Sequence, residues 1–556
     1  MKTLIIGGVA GGASAAARLR RLNENDEIII LERGDYVSFA NCGLPYFIGG
    51  DITDRNMLTL QTPESFRKRF NVEVRVRNEA VRIYPDTNSI TVRMLDSGEE
   101  YTETYDKLIL SPGAEPIRPD IKGIDSPNVF TLRNIPDTMK IKSYTDSAKP
   151  KKAVVVGGGY IGVEMAENLA KAGLEVSIVE LADHLIAPLD ADMAADVHRY
   201  IRNRGIKLYL GNGVTEISDK KVILQNGTIE TDMVIMSVGV RPETSLAKEC
   251  GITLNSRGSI IVNSHMQTNF TDIYAVGDAV EVKDYITGSP AFIPLAGPAN
   301  KQGRIAADNI AGIPSEYQGT QGSAVLKLFD MTVATTGLNE KRASAKGIDY
   351  DKTYTYSASH ASYYPDATNM SVKVLWDKKT HKLIGAQIVG FDGVDKRMDV
   401  LATAIRFGAK VTDLKYLELC YAPPFGSAKD PVNMVGFVAE NVINGTVKQF
   451  FWHDVEKLPR DGSVTLLDVR TKTEISRGMI DGFINIPLDT LRDNLNKLPK
   501  DKPVYVHCHS GLRSYIACRI LTGNGYECYN LAGGWRLYES VINDRTVPEY
   551  ICTECK

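Results

Sequence analysis

Lys152-Ala-Val-Val-Val-Gly157-Gly-Gly159-Tyr-Ile-Gly162, with Val176–Val179 and Glu180 further on, is the stretch that decides the fold. Ala153–Val156 reads as a short apolar strand and the glycines as a tight turn opening a helix. Val176–Val179 reads as a second strand with an acid at its end. In that order the parts make a strand–turn–helix–strand unit. Its full Gly-x-Gly-x-x-Gly turn aims backbone N–H groups at a pyrophosphate. A carboxylate at the second strand's end, here Glu180, accepts from a ribose 2′-hydroxyl and repels a 2′-phosphate, which predicts NADH over NADPH.

The order recurs at the start of the chain. Lys2–Gly7 is a strand, Gly7-Gly-Val-Ala-Gly-Gly12 a turn, Ala13–Leu22 a small-residue helix, and Glu27–Leu31 a strand ending at Glu32, twenty residues after Gly12. Val9 takes the place of the second glycine, so this turn departs from the full pattern. Either unit alone could be the glycine-rich turn of an ordinary α/β domain; two in one chain are far more specific. Tyr105–Pro116 and Asp232–Pro242 read as strands returning to the two nucleotide sheets. Thr268–Asp278 is a further strand, and the carboxylate of Asp278 could hold the ribityl chain of a flavin or cap the next helix.

A chain of 556 residues suggests roughly three to five domains. Its net charge of −3 is too small to point to nucleic acid or an anionic membrane. No apolar run approaches the ~20 residues a bilayer span needs. Met1-Lys-Thr runs straight into a strand, so no signal peptide is expected. Eight scattered cysteines do not make a disulfide scaffold, and a reducing cytoplasm fits best.

One cysteine stands apart. Ser38-Phe-Ala-Asn-Cys42-Gly-Leu-Pro-Tyr46 reads as an irregular polar loop a few residues past the first unit, with no second cysteine nearby. A buried structural thiol is the common fate of a cysteine. Here the neighbours favour a reactive one, and a lone thiol must pair with an outside sulfur or become a sulfenate.

With these motifs in place, residues 1 to about 445 resemble the pyridine nucleotide–disulfide oxidoreductases. The Cys42 stretch, the first glycine turn and Tyr421-Ala-Pro-Pro-Phe425 resemble the coenzyme A disulfide reductases and their persulfide-reducing relatives. The resemblance implies an α/β architecture: an FAD-binding domain over 1–149 with 265–322, an NAD-binding domain over 150–264, and an α+β dimerisation domain over 323–445. It implies FAD contacts at Gly7, Val9, Gly12, Glu32, Arg33, Val81, Gly113, Asp278 and Leu295. NAD contacts are implied at Gly157, Gly159, Tyr160, Ile161, Gly162, Glu164, Glu180 and Gly239. It further implies a homodimer in which Tyr363 and Tyr421 reach across from the second subunit to the thiolate that leaves. A phenol suits that task, because it donates to sulfur and stays neutral at pH 7. Packing is the other reading of both, and the neighbouring Tyr364 stays open. Ser14, Arg18, Arg21, Ser38, Asn41, Asn300 and Lys429 are implied near coenzyme A; Arg18 and Arg21 share one helix face by spacing. Related NADH oxidases and peroxidases carry a histidine in the first glycine turn, where this chain has Val9-Ala10-Gly11, which weakens that alternative.

Past a linker expected at 446–452, a second fold begins near His453 and runs to about 545. Thr465–Val469 and Val504–His507 read as strands. The latter delivers Cys508-His-Ser-Gly-Leu-Arg513-Ser514 to a helix, Tyr515–Leu521. A cysteine between a strand end and a helix N-terminus, closed by an arginine, is an anion cradle that lowers a thiol pKa. The region resembles a single rhodanese domain. Its Cys-x4-Arg ring is tighter than the Cys-x5-Arg of tyrosine phosphatases and suits one sulfane sulfur. His507 and His509 lack the further ligands a zinc site needs, so no metal is expected. Cys552 and Cys555 end a tail, 546–556, that reads as frayed or as a mobile resolving dithiol.

The sequence therefore predicts an NADH-dependent flavoprotein that reduces coenzyme A persulfide, polysulfide-type sulfane sulfur or coenzyme A disulfide on Cys42, with Cys508 delivering sulfane sulfur. The alternatives are an NADH oxidase or peroxidase with an accessory rhodanese, and a non-catalytic sulfur carrier. Partners are small thiols and persulfides, not nucleic acid or membrane.

Overall fold

Five parallel strands carry the first glycine turn. In a computed structural model of the chain, which describes residues 1–546, they run in the order Ile273–Ala275, Lys107–Leu110, Lys2–Ile6, Glu27–Glu32, Glu73–Val76. A strand buried on both faces reads as a continuous apolar run, as Leu4-Ile-Ile and Ile28-Ile-Ile-Leu31 do. Helix Ala10–Leu22 packs on helix Ala296–Ile310 so closely that a Cβ on Gly303 would lie 2.2 Å from the Gly11 carbonyl oxygen. The helix starts at Ala10, three residues before the expected Ala13, because the turn itself is its first turn.

The second glycine turn sits on a parallel sheet containing Glu175–Val179, Lys152–Val156, Met233–Met236 and Val129–Thr131. The two return segments pair as expected: Lys107–Leu110 against the first strand, Met233–Met236 against Lys152–Val156. Both sheets belong to one compact unit, 1–181 with 211–322.

The other unit holds 182–210 and the described chain from 323 on. Residues 182–210 thus pack with the chain from 323 on. Helix Ala191–Asn203 packs on helix Gly534–Thr546, and Asp190 and Asp192 each accept from the buried Lys373 ammonium at 2.8 Å. Such charges have no stable place away from their partners. An antiparallel sheet, Ala324–Leu328, Met331–Gly337, Leu383–Gly390, Asn369–Asp377, Tyr350–Ala358, is backed by helices Val394–Arg406 and Pro431–Ile443. A parallel sheet follows in the order Lys448–Phe450, Cys528–Leu531, Val504–His507, Thr465–Asp468, Ile484–Asn485.

Three local readings need correction. Leu44–Gly49 is a helix, not irregular loop, since Pro45 falls in its first turn, where a missing N–H costs nothing. Lys448–Phe450, expected within the linker, is a strand paired with Cys528–Leu531; three residues are too few to show a period. The helix after Cys508 spans Leu512–Gly523, so Arg513 lies inside its first turn. Cys552 and Cys555 lie outside the described residues. No helix among the described residues is long and apolar enough to cross a membrane.

Candidate active sites

The two glycine turns have the shape a dinucleotide needs. Gly7 and Gly157 take φ of +94° and +105°, and a Cβ on Gly12 or Gly162 would lie 1.9 Å from the carbonyl oxygen of Gly7 or Gly157. A Cβ on Gly159 would meet no protein atom within 4 Å, which leaves that face of the turn open to a phosphate. At each strand end the acid caps its own turn: Glu32 accepts from Gly8 N–H at 3.0 Å, and Glu180 from Gly158 N–H at 2.6 Å. Val9 holds the position before helix Ala10–Leu22 without any side-chain cap. Tyr160 and Ile161 open the helix behind the second turn, and Ile161 is exposed. Gly113 and Gly239 take left-handed φ beside the short pairing of Ala114–Pro116 with Val240–Pro242. Val81 falls in a bulge between Ala80 and Arg82, Leu295 precedes helix Ala296–Ile310, and Arg33 is ion-paired with Glu243. Asp278 lies in a 3-10 turn, where burial raises its carboxyl pKa. These residues fit two dinucleotide cofactors.

Cys42 sits exposed on the 3-10 turn Asn41–Gly43, ahead of helix Leu44–Gly49. The backbone reaches it through Ser38, held at φ +47° by bonds to Gly8 and Leu60. Although the residue reaches the surface, partial desolvation of its sulfur first, then the carboxylates of Glu164 and Asp278, push the Cys42 thiol up. Glu164 accepts from the Tyr46 hydroxyl at 3.3 Å, and burial raises its own pKa to about 7. Glu164, expected at the nicotinamide dinucleotide, is therefore also within electrostatic reach of the thiol.

A cavity of about 390 Å³ gathers Ser14, Arg18, Arg21, Ser38 and Asn300, five of the residues expected at coenzyme A. Ser14 donates to Asn300 at 2.7 Å, and Arg18 is bound to Asp308 at 2.6 Å. Asn41 and Lys429 are not among its lining residues. Gln61, Phe66, Phe70 and Arg304 are, and the sequence reading missed them. Phe66 and Phe70 share a face of helix Pro63–Phe70, a spacing that could have drawn attention to them. Arg20 is no ligand; its guanidinium is buried on five backbone carbonyls.

Tyr363 and Tyr421 do meet. Their hydroxyls are 3.1 Å apart, and both rings are exposed. Two loops bring them together. The Ala361 N–H donates to Gly426 O at 2.9 Å, and the buried Arg397 joins Ser359 O to the Asp430 carboxylate. The bond to Tyr421 raises the Tyr363 pKa. Tyr364 pairs edge-to-face with the His360 ring instead. Cys420, beside Tyr421, is a second exposed thiol that the sequence reading did not single out.

Cys508 is fully buried at the end of strand Val504–His507. Its sulfur accepts from Gly511 N–H at 3.1 Å and from the Ser514 hydroxyl at 3.2 Å. The Trp535 N–H holds the Cys508 carbonyl at 2.8 Å. Arg513, expected to close the ring on an anion, is held by both Glu474 carboxylate oxygens, at 2.7 and 2.5 Å. His507 is driven down to about 4 by burial. The one carboxylate cluster with metal-like spacing among the described residues, Asp190, Asp192 and Glu340, surrounds the Lys373 ammonium.

Comparison with known proteins identifies the family. Residues 1–303 match the pyridine nucleotide-disulphide oxidoreductase family, 323–431 its dimerisation domain, and 452–540 the rhodanese-like domain. A coenzyme A disulfide reductase of Staphylococcus epidermidis is 36% identical over 441 residues, covering 79% of this chain and all of that protein. The crystal structure of reduced Bacillus anthracis CoADR-RHD superposes with a TM-score of 0.96 at 51% identity over 98% of both chains. A NAD-dependent persulfide reductase from A. fulgidus gives 0.91 at 34% identity, over 97% of this chain and all of the other.

Proposed function

Because the chain belongs to the pyridine nucleotide-disulphide oxidoreductases and carries a rhodanese-like domain, we propose that it reduces coenzyme A persulfide or coenzyme A disulfide with NADH. The observation that carries this is Cys42: an exposed thiol with no cysteine partner among the described residues, on the same compact unit as both nucleotide turns and the Arg18–Arg21 cavity. A disulfide-forming pair would need a second sulfur within about 6 Å between Cα atoms. Among the described residues Cys42 forms no such pair, which supports a diffusible molecule as the source of the second sulfur.

FAD, held by the first turn and Asp278, and NADH, held by the second, supply the electron pair when bound. The preference for NADH rests on Glu180, whose carboxylate disfavours a 2′-phosphate. With a persulfide, the Cys42 thiolate attacks the outer sulfur, a new S–S bond forms, and coenzyme A leaves as its thiolate. Two electrons delivered to that new bond release sulfide and restore Cys42. With the disulfide, the same attack leaves coenzyme A joined to Cys42 and expels the other half. Ser14, Arg21, Ser38 and Asn300 line the cavity that would bind the coenzyme. Tyr421 and Tyr363, contributed by the second subunit of a homodimer, would donate to the departing sulfur. Cys508 takes sulfane sulfur from a donor and hands it on, which favours the persulfide over the plain disulfide as substrate. The free thiols among the described residues support a cytoplasmic setting.

Peptide mass spectrometry tests this. Protein treated with coenzyme A disulfide should carry one coenzyme A on the Cys42 peptide, and NADH should remove it. No adduct, together with rapid NADH consumption on oxygen or peroxide alone, would replace the proposal with the oxidase reading.

A further inference from the structure

Two arginines around the rhodanese-like loop are tied to carboxylates. Arg470 is tied to Asp468, Nη2 to Oδ2 at 2.7 Å, and lies against the Trp535 ring. Arg513 is tied bidentately to Glu474, and the Arg536 guanidinium lies 4.4 Å over the Tyr356 ring. Burial lowers the pKa of His507 and His509, which leaves both imidazoles neutral at pH 7. Asp468 and Glu474 thus offset Arg470 and Arg513 one for one. Glu474 is also fixed from behind: Thr471 donates to it from N–H at 3.0 Å and from its hydroxyl at 2.8 Å. Its carboxyl is held well below the usual range, first by the hydrogen bonds from Arg513. It stays charged throughout the working pH range.

An incoming dianion would have to take Arg513 from Glu474 and then sit beside the abandoned carboxylate. Like charges brought together at a half-buried site are costly. A donor with one charge or none at the transferring end faces neither cost. Gly511 N–H and the Ser514 hydroxyl already serve a single sulfur.

We infer that Glu474 is the donor-selecting residue of this loop. By holding Arg513 it directs Cys508 toward alkyl persulfides and away from the thiosulfate dianion. The inference rests on the sulfur-transfer reading of Cys508. In the favoured reaction the Cys508 thiolate attacks the outer sulfur of R–S–SH. The Sγ–S bond forms as the R–S–S bond breaks, and RS⁻ leaves with the electron pair while the proton stays on the new persulfide. With thiosulfate the same attack expels sulfite and leaves a persulfide anion.

The full-length protein is given thiosulfate or glutathione persulfide, and the rate at which the Cys508 peptide gains one sulfur is followed by mass spectrometry. Wild type should load from the persulfide at least about a hundredfold faster than from thiosulfate. Glu474→Gln, which can still accept from Thr471, should raise the thiosulfate-to-persulfide ratio about tenfold, mostly through the thiosulfate KM. Glu474→Asp, which keeps the charge, should stay near wild type. Comparable loading by both donors in wild type would overturn the assignment without any variant. So would a Glu474→Gln ratio within about twofold of wild type. Loading from neither donor would instead bring down the sulfur-transfer reading itself.

Discussion

Cys42 and Cys508 are one side chain in two opposite settings. Cys42 is exposed, receives no hydrogen bond at sulfur among the described residues, and feels carboxylates that oppose its ionisation. Cys508 is sealed, and an N–H and an O–H point at its sulfur. The contrast separates two tasks. A thiol that must meet a molecule as large as coenzyme A needs an open approach, and its ionisation is left to whatever binds beside it. A thiol that carries one sulfur atom needs a small closed pocket with donors already in place.

The strongest way to break this division is to remove each sulfur in turn. Cys42→Ser should lower NADH-driven sulfur reduction by about a thousandfold. Cys508→Ser should spare reduction of free coenzyme A persulfide and abolish sulfur loading on its own module. Equal loss in both assays for both variants would mean one shared site. A smaller effect sharpens it: Tyr421→Phe should slow reduction at Cys42 by about tenfold or more and leave Cys508 loading unchanged. If loading falls too, the Tyr363–Tyr421 pair is packing, not chemistry.

The smallest effect is a pH effect. Glu164 titrates near 7 in the folded protein, above its ordinary 4.5. Between those values the unfolded chain releases the proton and the folded chain keeps it. Stability therefore falls as pH rises through that window and is flat above it. Once ionised, Glu164 opposes a Cys42 thiolate. Glu164→Gln should remove the slope between pH 4.5 and 7 from denaturant titrations. It should also move the midpoint of Cys42 alkylation by iodoacetamide to lower pH. An unchanged midpoint would show that Glu164 does not act on this thiol.

What the sequence made legible was short-range. Both glycine turns, their terminal acids and the Cys-x4-Arg loop are fixed by residues a few positions apart, so spacing reveals them. The Arg513–Glu474 pair joins residues far apart in the chain and exists only once the Thr471 turn packs on the sulfur loop. Phe66 and Phe70 reach the Arg18 cavity from a helix whose own pattern announces only amphipathicity, and Gln61 from the segment just before it. Pro45 was misread because a proline looks the same in a loop and in a helix's first turn.

Strand Lys448–Phe450 carries a practical consequence. It covers the outer side of Cys528–Leu531, the next strand in that sheet. A recombinant fragment begun at Trp452, where the family match starts, would strip this cover and bare a row of unsatisfied amides, an invitation to intermolecular pairing and precipitation. Excision of the sulfur-carrying module should start upstream of Lys448.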